Sequence, residues 1–156
     1  MTYIRMMIDI LSKKEAHLEK ILEYTKSQEE ILKRDYFAEE EFAALVEKKE
    51  GLIKKIDEFD DGFQSVYNRM AEELTNNKEQ YKEQILELQA LITKVTDLGV
   101  ALTALEQKNR ANMEICLRDK KKGIKEFKVS KQTADKYYKN MIGMQTGASY
   151  FMDQKK

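Results

Sequence analysis

Residues 78–121 read KEQYKEQILELQALITKVTDLGVALTALEQKNRANMEICLRDKK. Apolar or small residues return every three or four positions: Tyr81, Ile85, Leu88, Ile92, Val95, Leu98 or Gly99, Leu102, Leu105, Asn109, Asn112 or Met113, and Cys116. That stride holds one face of a helix against a partner along its whole length. It predicts a single long helix from about Lys78 to Lys121. The small residues of Gly99–Leu105 (GVALTAL) thin the helix and permit close approach by a neighbour or by a ligand helix.

The same logic extends toward the N-terminus. From Thr2 to Arg34, Ile4, Leu11, Leu18 and Leu32 recur on a seven-residue stride, with polar Thr25 in the missing slot. Ile8, Ile21, Leu22 and Ile31 widen that stripe into a coiled-coil-like face. Such a helix is about 50 Å long and needs partners, because isolated helices are marginal in water. Asp35–Ala38 forms the first break. The acidic residues after it suit the positive end of a helix dipole. A second helix then runs to about Leu74, with Phe42, Leu45, Val46, Leu52, Ile53, Ile56, Phe59, Phe63, Val66, Tyr67, Met70 and Leu74 on its apolar face. Gly51 and the Asp60-Asp61-Gly62 cluster weaken it, but the stride carries through, so a continuous or slightly kinked helix is expected. Thr75-Asn76-Asn77 is the second break. Three helices of about 33, 37 and 44 residues joined by short breaks must fold antiparallel to bury their stripes. The predicted fold class is all-α, a coiled-coil-like antiparallel bundle over residues 1–122.

Residues 123–156 differ. The region from Lys120 carries three of the six glycines and is rich in Tyr and Met. Residues 118–156 hold 11 Lys+Arg against 4 Asp+Glu; with 28 of each in the chain, a net charge of zero hides +7 at the C-terminus and −7 on the rest. Ser130 can cap a short helix to about Ile142, with Ala134, Tyr137 or Tyr138, Met141 and Met144 at helical spacing, followed by an end carrying Tyr150 and Phe151. Apolar residues in such a basic segment need a surface, either this chain's own bundle or a partner. Tyr and Met suit interfaces that accept more than one partner.

Hydrophobic residues at 42% and charged residues at 36% are too apolar a balance for a disordered chain, and the absence of proline suits long helices. No uninterrupted apolar run reaches membrane-span length. The start, with Arg5 and Asp9 among its apolar residues, lacks a signal-peptide core, and a single cysteine fits a reducing compartment, so the reading is cytosolic. The only histidine, His17, lies at the edge of the first stripe, and Cys116 lies on the third. One His and one Cys make no zinc constellation, no triad recommends itself, and the glycines never cluster into a phosphate loop. The expectation is therefore no catalytic residue, no metal and no cofactor. The C-terminal charge is dispersed among acids and no groove-reading motif accompanies it, so nucleic acid is not an expected partner.

Three stretches carry a family likeness: Glu47–Ile56 (EKKEGLIKKI), Glu106–Met113 (EQKNRANM), and the ending, with Tyr137-Tyr138-Lys139-Asn140-Met141 and then Tyr150-Phe151 before a terminal Lys pair. With three long helices and no proline, nearly the whole chain resembles the FlgN family of flagellar export chaperones, its ending those of Gram-positive bacteria. The FliT flagellar chaperones are a related pattern. The resemblance implies a cytoplasmic chaperone. It would bind the C-terminal helical segment of hook-associated proteins, hold them from premature assembly and pass them to the flagellar type III export machinery. The membrane would be involved only indirectly. The implied contact is a helix laid into an apolar groove. Candidate client-binding residues are Leu98, Leu102, Leu105 and Met113 of the third helix, with Tyr137, Tyr138, Met141, Ile142, Met144, Tyr150 and Phe151 beyond it. A rival reading of the same stripes is a structural coiled coil or scaffold that self-associates, and a homodimer is compatible with either.

Overall fold

A computed structural model describes residues 2–119 as three helices, α1 (Tyr3–Leu32), α2 (Glu39–Asn76) and α3 (Lys82–Asp119). Thr2 starts α1, its hydroxyl accepting the Arg5 amide at 3.3 Å. Ala38 opens α2 without a side-chain cap, but Glu39, Glu40 and Glu41 fill its first turn and face the positive dipole end. α2 is continuous through Asp60-Asp61-Gly62. A Cβ at Gly62 would meet only Ile10 Cδ1, at 3.7 Å, so this glycine opens no gap and marks no turn.

Two boundaries differ from the sequence reading. α2 continues through Thr75 and Asn76, with Asn77 as its C-cap. The third helix begins at Lys82 rather than Lys78. Residues 77–81 are held as a turn instead: the Gln80 amide donates to the Asn77 carbonyl at 3.1 Å, and the Tyr81 hydroxyl donates to Glu73 Oε1 at 2.5 Å. That last bond ties the turn back to α2 and raises the Tyr81 pKa above its ordinary value.

α1 is the central helix. It packs against both α2 and α3, whereas among the described residues α2 and α3 do not approach each other at the backbone. The α1–α3 contacts Thr25–Glu106, Arg5–Glu87, Asn109–Thr25 and Cys116–Leu32 all join residues 81 to 84 apart, which fixes these helices as parallel and in one register. α2 runs antiparallel to both. The core divides into two clusters. One, at the α2–α3 turn, joins Ile4–Leu11 with Phe63–Leu74, Leu88 and Ile92. The other joins Leu18–Leu32 with Phe42–Ile56, Val95, Leu102, Met113 and Cys116.

Two polar contacts interrupt this core at positions where the heptad stride asks for apolar residues. Between the clusters, buried Lys14 donates to Asp60 Oδ1 at 2.6 Å. Burial holds the Asp60 carboxyl above the ordinary carboxylate range, against the pull of Lys14 and with help from Asp57 and Asp61. Deeper, Thr25, Gln28, Lys49, Glu106 and Asn109 form a layer drawn from all three helices, each at most 2% exposed. Lys49 Nζ donates to Gln28 Oε1 and, at 2.5 Å, to Glu106 Oε1. The Thr25 hydroxyl lies 3.0 Å from Glu106 Oε1 and 2.7 Å from the Ile21 carbonyl, so its one proton serves one acceptor at a time. Asn109 Nδ2 donates to the Thr25 carbonyl at 3.1 Å, while its Oδ1 is buried without a hydrogen-bond partner. Burial pushes the Lys49 ammonium down to about 8, with Glu106 opposing. A polar layer of this kind costs stability and specifies pairing and register.

Candidate partner-binding surface

The decisive feature is how α3 distributes its apolar residues. Its buried line is Leu88, Ile92, Val95, Gly99, Leu102, Glu106, Asn109, Met113 and Cys116. That leaves Leu86 (58% exposed), Val100 (49%) and Ile115 (45%) on the solvent side. Ala90, Thr93, Ala101 and Ala104 are exposed with them. The most apolar eighteen-residue window of this helix is only 28% buried. By length and composition α3 is apolar enough to cross a membrane, a test that the core helix of a bundle also passes. α1 and α2, by contrast, turn charged residues outward.

Between Leu88 and Leu105 the only charged residues are Lys94 and Asp97. Both are exposed, and neither makes an ion pair among the described residues. The pairs Arg5–Glu87 (3.4 Å) and Lys108–Glu29 (3.0 Å) bracket this stretch where α3 meets α1. At the α2–α3 turn, a cleft of ≈ 460 Å³ opens between the two helices. Leu74, Ile85 and Tyr67 line it, with Leu86, Lys78 and Lys82 beside them. The outward face of α3 thus ends in a recess able to take an apolar side chain.

The four α3 residues singled out in the sequence separate into two groups. Leu98 and Leu105 are half-buried on the shoulder of the helix. Leu102 (0% exposed) and Met113 (2%) are core residues, reachable by a partner only if α3 leaves the bundle. Tyr137, Tyr138, Met141, Ile142, Met144, Tyr150 and Phe151 lie outside the described residues. Sequence reading missed Leu86, Val100 and Ile115. Their signal was that they fall off the stride of an otherwise regular helix.

Neither special side chain forms a reactive site. His17 Nδ1 lies 3.0 Å from the Lys13 carbonyl, and its ring meets Phe59 edge-on at 5.1 Å. The buried Cys116 thiol donates to the Leu32 carbonyl at 3.6 Å. Among the described residues, no cluster of His, Cys, Asp and Glu is arranged to hold a metal ion.

The FlgN protein family model matches residues 1–137, which takes in all three helices. The chain belongs to the FlgN family. FlgN proteins are a family of flagellar export chaperones, so the chain's class is a chaperone rather than an enzyme, and the FlgN pattern takes precedence over the FliT one. No curated protein and no solved structure gives a significant match. Which residues of this FlgN protein meet a partner is therefore argued from its own surface.

Proposed function

We propose that this protein is a cytoplasmic chaperone for hook-associated proteins, and that the outward face of α3 receives the amphipathic C-terminal segment of the client. The observation carrying this is that the most apolar stretch of α3 is only 28% buried within the chain's own bundle. An uncovered apolar face on a bundle helix gains free energy by burying against an apolar stripe, at roughly 25 cal/mol per Å². A client segment covered in this way has no free stripe with which to assemble prematurely, and its release is an exchange between similar packings. Leu98 and Leu105 widen the face from its shoulder, and Leu86 leads into the cleft at the α2–α3 turn.

The test is calorimetric titration of the full chain with the C-terminal segment of a hook-associated protein. Val100→Glu and Leu86→Glu are expected to weaken binding at least tenfold while leaving the fold intact, because both side chains are about half exposed. A second arm removes residues after Gly123; weaker binding assigns Tyr137, Tyr138 and Met141 a share in the client contact. Unchanged affinity in both α3 variants would overturn the assignment of the face.

A further inference from the structure

α2 carries almost all of the excess charge of the bundle. Its residues Glu39–Asn76 hold 11 Asp+Glu against 5 Lys+Arg, net −6, so six of the seven excess acids of residues 1–117 lie on this one helix. The ion pairs of α2 use Glu41, Lys49, Asp60 and the Lys55–Glu58 couple. Glu47, Glu50, Asp57 and Asp61 are in none among the described residues. Burial and the neighbouring Asp61 hold the Asp57 carboxyl above the ordinary carboxylate range, against the pull of Lys14.

These acids follow the side of α2 that α3 leaves open. The two helices do not approach at the backbone, and the cleft at their turn is lined by Ala71 of α2 and Gln89 of α3. Steps of seven residues from Ala71 keep to one side of α2 and pass Gln64, Asp57 and Glu50, with Asp61 and Glu47 beside them. The same steps from Gln89 pass Thr96 and Thr103 on α3. A flank with an acidic α2 wall thus runs from the cleft toward the end of the bundle where α2 begins and α3 ends.

The chain that continues from this end has the opposite charge. Residues 120–139 hold 8 Lys against 2 Asp+Glu, net +6, and follow directly on α3. Glu106 meets Lys49, so a chain leaving Asp119 retraces about 20 Å of α3 to come level with Glu50. Residues 120–129 reach roughly 33 Å when extended, which is enough. The helix expected from Ser130 to Ile142 is about 20 Å long, and the stretch from Glu50 to Asp61 is about 17 Å. In that placement Lys131, Lys136 and Lys139 come within about one turn of Glu50, Asp57 and Asp61.

We propose that residues 120–139 of this chain lie along the α2–α3 flank, parallel to α2, with their lysines over Glu50, Asp57 and Asp61. Lys136 and Lys139 fall off the stripe of Ala134, Tyr138 and Met141. With the lysines on α2, that stripe borders Leu86 and Val100, which share one line of α3, and forms a second wall for the client. That last step rests on the chaperone reading; the docking on α2 does not.

The experiment puts a nitroxide on Thr133→Cys in the full chain, with Cys116→Ser so that the label has one site. It reads paramagnetic broadening of isotope-labelled amides without client. Broadening is expected over residues 50–61 of α2, and it is expected to fade in high salt. Asp57→Lys/Asp61→Lys should reduce it roughly fivefold, and adding Lys136→Asp/Lys139→Asp should restore it. Circular dichroism of each variant checks that the bundle is intact. Broadening that is absent, or confined to the outward face of α3, overturns the proposal. So does a charge-exchanged chain no better than the reversed one. Spin-labelled chain mixed with isotope-labelled chain that carries no spin label should leave the latter sharp; broadening there overturns the proposal in favour of a second copy. Asp57→Lys/Asp61→Lys should also weaken the client segment roughly fivefold, with recovery in the exchanged chain. A client affinity that does not follow the docking defeats the second wall, and a client that never binds defeats the chaperone reading; both leave the docking standing.

Discussion

Replacing Lys49 by methionine removes one partner of an ion pair that water does not reach. The Lys49 and Glu106 side chains are 2% and 3% exposed, and Nζ lies 2.5 Å from Oε1. Methionine preserves the volume, so the loss is electrostatic. Glu106 keeps only the shared Thr25 hydroxyl at 3.0 Å, and the Gln28 Oε1 loses its donor. Leaving a buried charge uncompensated costs about 3–5 kcal/mol. Lys49→Met is therefore expected to lose about 3–5 kcal/mol. For a chain of this size that is a fall in Tm of about 10 °C. Lys49→Met/Glu106→Leu removes both charges and should return to near wild-type stability, because exchanging a buried pair for apolar residues is often neutral or stabilising by about 1–4 kcal/mol. Urea unfolding of the four chains of this cycle at pH 7 is the assay. A single variant within about 0.5 kcal/mol of wild type would refute the burial of the pair. A double variant no more stable than the single would refute their coupling.

Three further outcomes are expected. Gly51 is an exposed position inside α2 with no atom within 4 Å of an added Cβ, so Gly51→Ala should raise stability by about 0.5–1 kcal/mol in thermal unfolding; a loss would contradict a continuous helix there. Lys49 titrates near 8 in the folded chain and near 10.4 when unfolded, so between these values the unfolded chain binds more protons and stability should rise with pH; Lys49→Met should lack that rise in urea titrations at pH 8 to 10. Leu102→Ala should cost about 2–5 kcal/mol and Leu86→Ala under about 0.5, measured by urea unfolding; equal losses would contradict the face assigned to the core.

The fold was legible because a hydrophobic stride survives substitution at single slots. Thr25 in the heptad gap of α1 did not obscure that helix, and Gly62 did not split α2. The polar layer was harder to read. Lys49 lies in a run of charges, Glu47-Lys48-Lys49-Glu50, that looks solvated from end to end. Its burial becomes visible only when Glu106 arrives from a helix 57 residues away. Beside Leu105, Glu106 loses any hydropathy vote, so Leu105 was placed on the buried line that Glu106 occupies. The candidate site suffered from the same cause. A core stripe and a binding stripe are chemically alike, and Leu102 and Met113, candidates for the second, are buried in the first.

That likeness also explains why an otherwise apolar seam keeps a costly layer. α3 has apolar residues on more than one side, so hydrophobic burial alone chooses weakly which side turns inward. A modest roll would bring Leu98 and Leu105 further in, at the expense of Gly99 and Glu106. Glu106 resists that roll, because leaving the layer would strand Lys49. The layer therefore sets the orientation of α3, and with it the outward position of Leu86, Val100 and Ile115. Lys49→Met/Glu106→Leu should keep a near wild-type Tm yet lose this choice, giving broadened α3 amide signals in NMR spectra and a less uniform client affinity. Sharp signals at wild-type positions would mean that packing alone orients the helix, and that the buried pair serves stability only.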